Sequence, residues 1–292
     1  MYYLGIDGGG TKCHAVIQNE AGETLGRGRG GPANPVHGYE QAIQSITDAS
    51  TQAAEESGLS QDDFSSIVAG IGLAGVNLHG IMQKMESWQH RFAELHLTTD
   101  LEIASIGAHE SNNGAVIVVG TGSCGYCMNE DNKVILGGYG FPIGDHASGA
   151  WMGLKAIEHT LLALDGFIEI DQLTRAVCNH FDATAAINLS EAILGSGSKR
   201  YGEIAPLIFM LANQNEPKAL AIVNEGLAYI SKLASKLLAH NPDRLSIIGG
   251  LSHLYMERLE GSLAEKFSPP LHSPEIGALL YGKNQSTSLR DL

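Results

Sequence analysis

The sequence predicts an α/β fold built from two similar halves. The chain has 292 residues, which corresponds to about two domains of ordinary size. Strand-like apolar runs alternate with helix-like segments in the first third, which is typical of an α/β sheet with its ligand crevice at the carboxyl ends of the strands. A strand that enters a glycine-rich turn occurs near the start and again after residue 114, so the second half repeats the first.

The first half opens with three predicted strands. Tyr2–Ile6 is an apolar run that ends in Asp7 and three glycines, and Cys13–Ile17 and Glu23–Gly28 follow as two antiparallel strands. A helix is then expected from about His37 to Glu56. The remaining predicted elements are a strand at Ile67–Leu73, a helix at Leu78–Phe92, a strand at Leu95–Thr99 and a helix that begins at Leu101.

The second half begins with the strand Ala115–Val119, which enters the glycine turn Gly120–Gly125. A polar turn at Asn129–Asn132 and another strand at Lys133–Leu136 follow. The rest is mostly helical, and its clearest helix spans about Pro217 to His240, with an apolar stripe at helical spacing. The last predicted elements are a strand at Leu245–Ile248, a glycine turn at Gly249–Gly250 and a small-residue helix at Glu275–Tyr281.

The charge balance excludes two classes of partner. Eighteen basic and 32 acidic side chains give a net charge of −14, which repels nucleic acids and anionic membrane surfaces. A nucleotide can still bind, because backbone N–H groups and magnesium can neutralise its phosphates. The start has no basic and apolar leader, no apolar run is long enough to cross a membrane, and four cysteines fit a reducing compartment, so we expect a cytoplasmic protein.

The segment GIDGGGTK, Gly5–Lys12, carries the strongest chemical signal. It places an acid at the end of a strand and follows it with three glycines, a hydroxyl and a cation. Unobstructed backbone donors suit phosphate, and the carboxylate of Asp7 can orient hydrated magnesium. A plain hairpin turn is the alternative, but turn geometry does not require three glycines after an acid.

Other motifs in the sequence are weaker. Three segments match the dinucleotide pattern G-x-G-x-x-G/A, but only Gly70–Gly75 lies between a strand and a helix, and it lacks an acid at the required spacing. The Lys-Ser/Thr box of a P-loop is absent. Cys124 and Cys127 have no second pair to complete a zinc site, and the twelve histidines form no HExxH motif, so we assign neither set a role.

Three polar residues allow two interpretations each. Asp100 closes a predicted strand, where it could serve as a general base or as the N-cap of the next helix. Asp145 could cap a helix, although the small residues around it, including Gly149, favour close approach of a ligand. Asn34 lies in a turn, where it could shape the turn or bind a ligand.

Taken in order, the motifs GIDGGGTK, TTD, GTGS and GDxxSGAWxG resemble the superfamily of sugar kinases, actin and heat-shock chaperones. Within it the chain resembles the BadF/BadG-type ATPase family, and most of all its N-acetylglucosamine and glucosamine kinases. The resemblance implies a two-lobed actin-like (ribonuclease H-like) ATPase fold with a duplicated βββαβαβα core and extra helices in the second lobe. The expected lobes are residues 1–108, with the first phosphate loop and sugar contacts, and residues 109–292, with the second phosphate loop, the adenosine site and a hinge helix near the end.

The resemblance also assigns roles to residues. The nucleotide group comprises Asp7, which also orients Mg²⁺, with Gly9, Gly10, Thr11 and Lys12 in the first loop, Gly120, Thr121, Gly122 and Ser123 in the second, and Gly249 and Gly250 against adenosine. The sugar group comprises Asn34, Ala74, Asp100, Tyr139, Asp145 and Gly149, and Asp100 matches the base that deprotonates the sugar 6-hydroxyl. Ala74 stands where some relatives have Ser, and Tyr139 where some have Trp, so the preferred amino substituent stays open.

The implied activity is the ATP-dependent phosphorylation of N-acetyl-D-glucosamine at its 6-hydroxyl. Glucosamine kinase is the alternative, and a less favoured one is an ATPase activator of a dehydratase, which shares an iron–sulfur cluster across a dimer. A non-catalytic sugar sensor would not need Asp100. The expected cofactors are ATP and Mg²⁺, and the expected partner is a small-molecule amino sugar, with no nucleic acid or membrane; a homodimer is compatible with the resemblance.

Overall fold

The computed structural model describes residues 1–78, 80–129 and 132–290. Its strands are β1 (Tyr2–Gly8), β2 (Cys13–Asn19), β3 (Thr24–Gly30), β4 (Ile67–Leu73), β5 (Glu94–Thr99), β6 (Gly114–Val119), β7 (Ser123–Asn129), β8 (Asn132–Gly137) and β9 (Leu245–Ile248). Its α-helices are α1 (Tyr39–Glu56), α2 (Ile81–Glu86), α3 (Asp100–His109), α4 (Gly149–Leu164), α5 (Gln172–Phe181), α6 (Ala186–Ile193), α7 (Ser198–Gly202), α8 (Ala205–Asn213), α9 (Pro217–Leu238), α10 (Ser252–Met256), α11 (Gly261–Ala264) and α12 (Pro274–Arg290).

Most predicted elements match these bounds within a few residues, and two helices differ. The predicted helix at residues 78–92 is reduced to α2, and its residue His79 lies outside the described part of the chain. After α2, Trp88 and Phe92 instead form an edge-to-face ring pair with centroids 6.1 Å apart, which packs the segment against the core before β5. Helix α12 is longer than predicted and continues to Arg290.

The chain divides into two compact units, Met1–Gly114 with Pro269–Leu292, and Ala115–Ser268. The predicted lobes, 1–108 and 109–292, differ from these units in two respects: the first boundary lies after Gly114 instead of residue 108, and the end of the chain belongs to the first unit. The last segment of the chain, which contains α12, packs with the first unit although it follows the second in sequence.

The first unit contains a five-stranded sheet in the order β3-β2-β1-β4-β5. Strands β1, β2 and β3 pair antiparallel, whereas β1, β4 and β5 pair parallel. The carboxyl ends of the parallel strands therefore meet at one edge of the sheet, which brings the residues that follow β1, β4 and β5 together. The element order of residues 1–109 is the predicted βββαβαβα.

Helix α12 lies unusually close to the first sheet because glycines face it. A Cβ atom built on Gly5 of β1 or on Gly70 of β4 would overlap the carbonyl oxygens of Glu275 and Ala278 in α12. A Cβ on Gly277 would overlap the carbonyl oxygen of Ile103 in α3. Backbone contacts of this kind hold the end of the chain in the first unit, and any larger side chain at these positions would displace the helix.

The second unit contains a four-stranded sheet in the order β8-β7-β6-β9, in which β6 and β9 are parallel and β7 and β8 antiparallel. Phe267 forms a single parallel bridge to Leu245 of β9, at the place where the first sheet has a fifth strand. The repeat is thus shortened by a strand and enlarged by helices α5 to α9. Its core includes the buried residues Ile117, Trp151, Leu173, Ile208 and Val223.

Within the described residues, no helix combines the length and the apolarity that a bilayer span would require.

Candidate active site

The turn between β1 and β2, which we call loop 1 (Gly9–Lys12), has unused hydrogen-bond donors. The N–H of Gly9 donates to the carbonyl of Lys12 at 3.0 Å and closes the turn, while the carbonyl of Gly9 accepts from Ala33 at 2.9 Å. Gly10, Thr11 and Lys12 are exposed. The N–H groups of Gly10 and Thr11 bond to no group in the described part of the chain, so they are available to an anionic ligand.

Asp7, the acid before loop 1, lies among other acids. It occupies the same sheet face as Gly5, because side chains two residues apart on a strand share a face. Burial and, after it, the negative charges of Asp100 and Glu275 raise the pKa of Asp7 to about 7, against the opposing charge of Lys12. The structure therefore brings Asp7 and Asp100 together at the carboxyl edge of the first sheet.

Asp100 is not the N-cap of α3. That position belongs to Thr99, whose hydroxyl oxygen accepts the N–H of Glu102 at 3.2 Å. Asp100 is the first helical residue, and its Oδ1 accepts the N–H of Leu101 at 2.9 Å. Burial raises the pKa of Asp100, and the backbone hydrogen bonds that it accepts oppose this rise. Of the two interpretations of Asp100, helix capping is wrong, because Thr99 fills that role.

Asn34 and Ala74 lie beside loop 1. The Oδ1 of Asn34 accepts the N–H of Val36 at 2.9 Å, so the side chain does shape its turn, but its amide NH2 bonds to nothing that the structure describes. The N–H of Ala74 donates to the carbonyl of Gly8 at 2.9 Å, which ties the end of β4 to the end of β1. Asn34 thus has both predicted features, a turn-forming oxygen and an available donor.

Glu275 and Arg27 are not among the residues predicted from the motifs. Arg27 Nη1 lies 3.2 Å from Glu275 Oε1, and this ion pair joins β3 to the first turn of α12 across 248 residues of sequence. The alternation of glycine and arginine along Thr24–Gly30 could have indicated that Arg27 and Arg29 share one sheet face. No local pattern could have identified the distant partner.

The turn between β6 and β7, which we call loop 2 (Gly120–Ser123), is more constrained. Its Gly120 N–H donates to the carbonyl of Gly122 at 2.9 Å. The hydroxyl of Ser123 is buried and donates to the carbonyl of His146 at 2.5 Å, so it points into the protein. Thr121 is exposed, and it is the loop 2 side chain best placed to meet a ligand.

The start of helix α4 is hydrogen-bonded to loop 2. Its N-cap is Ser148, whose hydroxyl oxygen accepts the N–H of Trp151 at 3.2 Å. The N–H of Gly149 donates to the carbonyl of Gly120 at 2.8 Å, so the start of the helix is bonded to the loop. A Cβ on Gly149 would lie 3.3 Å from the Cβ of Ala205, which gives this glycine a packing role.

Asp145 also supports loop 2, and the predicted capping role of Asp145 is wrong because Ser148 caps α4. The Oδ1 of Asp145 accepts the N–H of Gly140 at 3.2 Å, and the Asp145 carboxylate also accepts the N–H of Ser123. A Cβ built on Gly122 would lie 2.7 Å from Asp145 Oδ2. Burial raises the pKa of Asp145, while these N–H groups oppose the rise.

Gly249 and Gly250 adjoin loop 2, since β9 runs parallel to β6 and the two strands end side by side. Gly249 has a φ of 103°, and a Cβ there would overlap the carbonyl oxygen of Val119, so a larger residue is strained at this position. Gly250 is open, with its nitrogen 3.7 Å from a Cβ built on Gly120.

Tyr139 is 78% exposed and lies between Gly138 and Gly140, both at positive φ.

The donor set of the first unit fits nucleotide phosphates with Mg²⁺. The described residues contain no group of three or more His, Cys, Asp or Glu side chains that could hold a metal without help. Magnesium in phosphoryl-transfer enzymes is commonly held by one or two carboxylates together with the phosphates of the substrate. Asp7, next to the available donors of loop 1 and to Lys12, meets that requirement.

Known proteins resemble this chain over nearly its full length. The model of the BadF/BadG/BcrA/BcrD ATPase family matches residues 4–282. Glucosamine kinase GspK of Vibrio cholerae is 36% identical over 293 residues, 99% of each chain. A solved structure of a Chromobacterium violaceum protein, assigned as an N-acetylglucosamine kinase, superimposes with a TM-score of 0.90 at 29% identity, covering 96% of this chain and 98% of that one.

A more distant structure extends the likeness of the fold. The ROK family glucokinase of Streptomyces griseus, solved with glucose and AMPPNP, has a TM-score of 0.58 at 16% identity and covers 98% of this chain and 99% of that chain. The expected two-lobed, actin-like α/β architecture is confirmed. So is the resemblance drawn from the four motifs: the chain belongs to the BadF/BadG/BcrA/BcrD ATPase family.

Proposed function

We propose that this protein is an ATP-dependent amino sugar kinase that phosphorylates the 6-hydroxyl of N-acetyl-D-glucosamine or glucosamine. The observation that carries the proposal is the position of Asp100. Its carboxylate is not needed to cap α3, and it lies beside Asp7 and next to a loop with available phosphate donors. The named relatives, a glucosamine kinase and a protein assigned as an N-acetylglucosamine kinase, support both acceptors.

In the proposed reaction Asp100 is the general base. The oxygen of the sugar 6-hydroxyl attacks the γ-phosphorus of ATP, the bond from that phosphorus to the bridging oxygen breaks, and ADP leaves. The hydroxyl proton passes to Asp100. Because burial raises the pKa of this carboxyl group, it accepts a proton more readily than an exposed aspartate does.

Positioning and charge neutralisation supply most of the remaining rate in phosphoryl transfer. We propose that the N–H groups of Gly10 and Thr11 and the ammonium of Lys12 contact phosphate oxygens, and that Asp7 holds Mg²⁺. The bound ion would neutralise phosphate charge. In the second unit, Thr121 and Gly122 of loop 2 are proposed to contact phosphates, and Gly249–Gly250 to contact adenosine.

The activator alternative finds less support. An iron–sulfur cluster requires positioned thiolates. Cys127 is buried in the core, and Cys124, three residues earlier on β7, lies on the opposite face of the strand. The two thiols therefore do not present one metal-binding face.

The decisive experiment is ADP release by the purified protein with ATP and Mg²⁺, measured separately with glucosamine, N-acetylglucosamine, N-acetylmannosamine, glucose and no sugar. We expect turnover with an amino sugar to exceed turnover with glucose and with no sugar. The ratio of kcat/KM between glucosamine and N-acetylglucosamine identifies the acceptor. Equal ADP release with every sugar and without sugar would disprove the kinase.

A further inference from the structure

The hydroxyl of Tyr229, on α9 in the second unit, is a polar group that the proposed mechanism does not use. The residue is half-buried, and its hydroxyl makes no hydrogen bond with any residue that the structure describes. A Cβ built on Gly137, at the end of β8, would lie 2.9 Å from Tyr229 Oη. The phenol oxygen thus lies directly against the backbone at the end of this strand.

The surroundings of this hydroxyl are polar. The rings of Tyr229 and His146 are 5.3 Å apart between centroids. Burial raises the pKa of Tyr229, and the ionised forms of its neighbours Cys124, Asp145 and Tyr139 would raise it further. The phenol is therefore neutral near neutral pH and can both donate and accept a hydrogen bond.

Asp145 does not take up this hydroxyl although the two are close. Its carboxylate instead accepts the N–H groups of Gly140 and Ser123. A tyrosine hydroxyl that is half-buried usually has a hydrogen-bond partner. The neighbouring Tyr139 is 78% exposed, so this part of the second unit is in contact with solvent.

We infer that the Tyr229 hydroxyl binds the sugar substrate, as a hydrogen-bonding partner of one of its hydroxyl or amino groups. The inference rests on the proposed function. Neither the motifs nor the family resemblance points to this residue, because it lies in the middle of a long amphipathic helix, far in sequence from every glycine turn. Its contact with the substrate would make it a determinant of sugar affinity and not of ATP affinity.

The variant Tyr229→Phe tests this inference, because it removes a single oxygen and keeps the ring that packs on His146. Loss of a neutral hydrogen bond should weaken sugar binding about three- to tenfold. We expect that increase in the sugar Kd, measured by calorimetry, and in the sugar KM, with the KM for ATP changed by less than about twofold. The matched control is Tyr2→Phe in β1 of the other unit. It alters a half-buried tyrosine whose hydroxyl bonds to no residue that the structure describes, and it should leave all constants unchanged.

The outcomes separate the inference from the proposed function. An unchanged sugar Kd in Tyr229→Phe, or a change confined to ATP, would overturn the role of Tyr229. A wild-type protein that binds an amino sugar but does not phosphorylate it would disprove the kinase and still leave the Kd comparison decisive for Tyr229. If calorimetry detects binding of neither amino sugar to the wild type, both proposals fall.

Discussion

Loop 1 and loop 2 follow the same pattern, a strand, a glycine turn and a returning strand, but their backbone groups are used differently. In loop 1 the N–H groups of Gly10 and Thr11 are available to a ligand. In loop 2 the carbonyl of Gly120 accepts from α4, and the N–H of Ser123 donates to Asp145. The same type of glycine turn thus leaves backbone N–H groups available to a ligand in one unit and is held by hydrogen bonds to the protein in the other.

The acids near the two loops differ in the same way. Asp7 and Asp100 lie close enough to repel each other, and the N–H groups that the Asp100 side chain accepts, those of Leu101 and of Asp100 itself, belong to its own helix. Asp145 accepts N–H groups from two other segments and holds the loop 2 region together. We therefore expect Asp7 and Asp100 to act in catalysis and Asp145 to stabilise the conformation of loop 2.

The largest expected effect is the loss of kcat in Asp100→Asn, which tests whether the general base lies in the first unit. Loss of a general base lowers kcat about 10² to 10⁴-fold. Because Thr99 caps α3, stability should change little, and the sugar Kd should stay near the wild-type value. Steady-state ADP release and calorimetry measure the two quantities. Near-normal turnover would remove Asp100 from the mechanism, and the exposed Asp62→Asn is the matched control.

The second prediction concerns the pH dependence of stability that follows from the buried Asp7 and the acids near it. Its pKa in the folded protein, about 7, is above the 3.8 of an ordinary aspartate, so the native state binds a proton more tightly than the unfolded state. The free energy of unfolding should therefore fall as pH rises from about 4 to about 7, by up to about 1.4 kcal/mol per pH unit. Above pH 7 this contribution is constant.

Urea unfolding with EDTA at pH 5, 6 and 7 measures this slope. Asp7→Asn, which cannot ionise, should reduce it, whereas Asp62→Asn should leave it unchanged. Identical slopes for the wild type and Asp7→Asn would show that Asp7 keeps an ordinary pKa.

The smallest expected effect is on stability, and it tests whether Asp145 holds loop 2 in place through its hydrogen bonds. Asp145→Ala leaves the N–H groups of Gly140 and Ser123 without an acceptor, which should lower the free energy of unfolding by about 1–3 kcal/mol. Asp145→Asn keeps an acceptor oxygen and tolerates the φ of 56° at this position, so its loss should be smaller. Urea curves compare the two. Equal losses would contradict the bracing role.

Much of the catalytic edge could be predicted from local pattern. An apolar run that ends in Asp7 and three glycines specifies a strand and a turn, and parallel pairing of β1, β4 and β5 brings Asp7 and Asp100 to one edge. Helix capping could not be predicted in the same way. Thr99 and Asp100 are both good caps, and the choice depends on which of the two has an extended backbone.

The sequence by itself determined the order of strands and helices in the first half, the places of the glycine turns and the family, because these depend on short-range periodicity and on motifs. Only the tertiary structure decided that α12 joins the first unit, where Arg27 meets Glu275, and that Asp145 bonds to Gly140 and Ser123. Such contacts depend on how closely backbones approach in three dimensions. The glycines that permit the approach are visible in the sequence, but their partners are not.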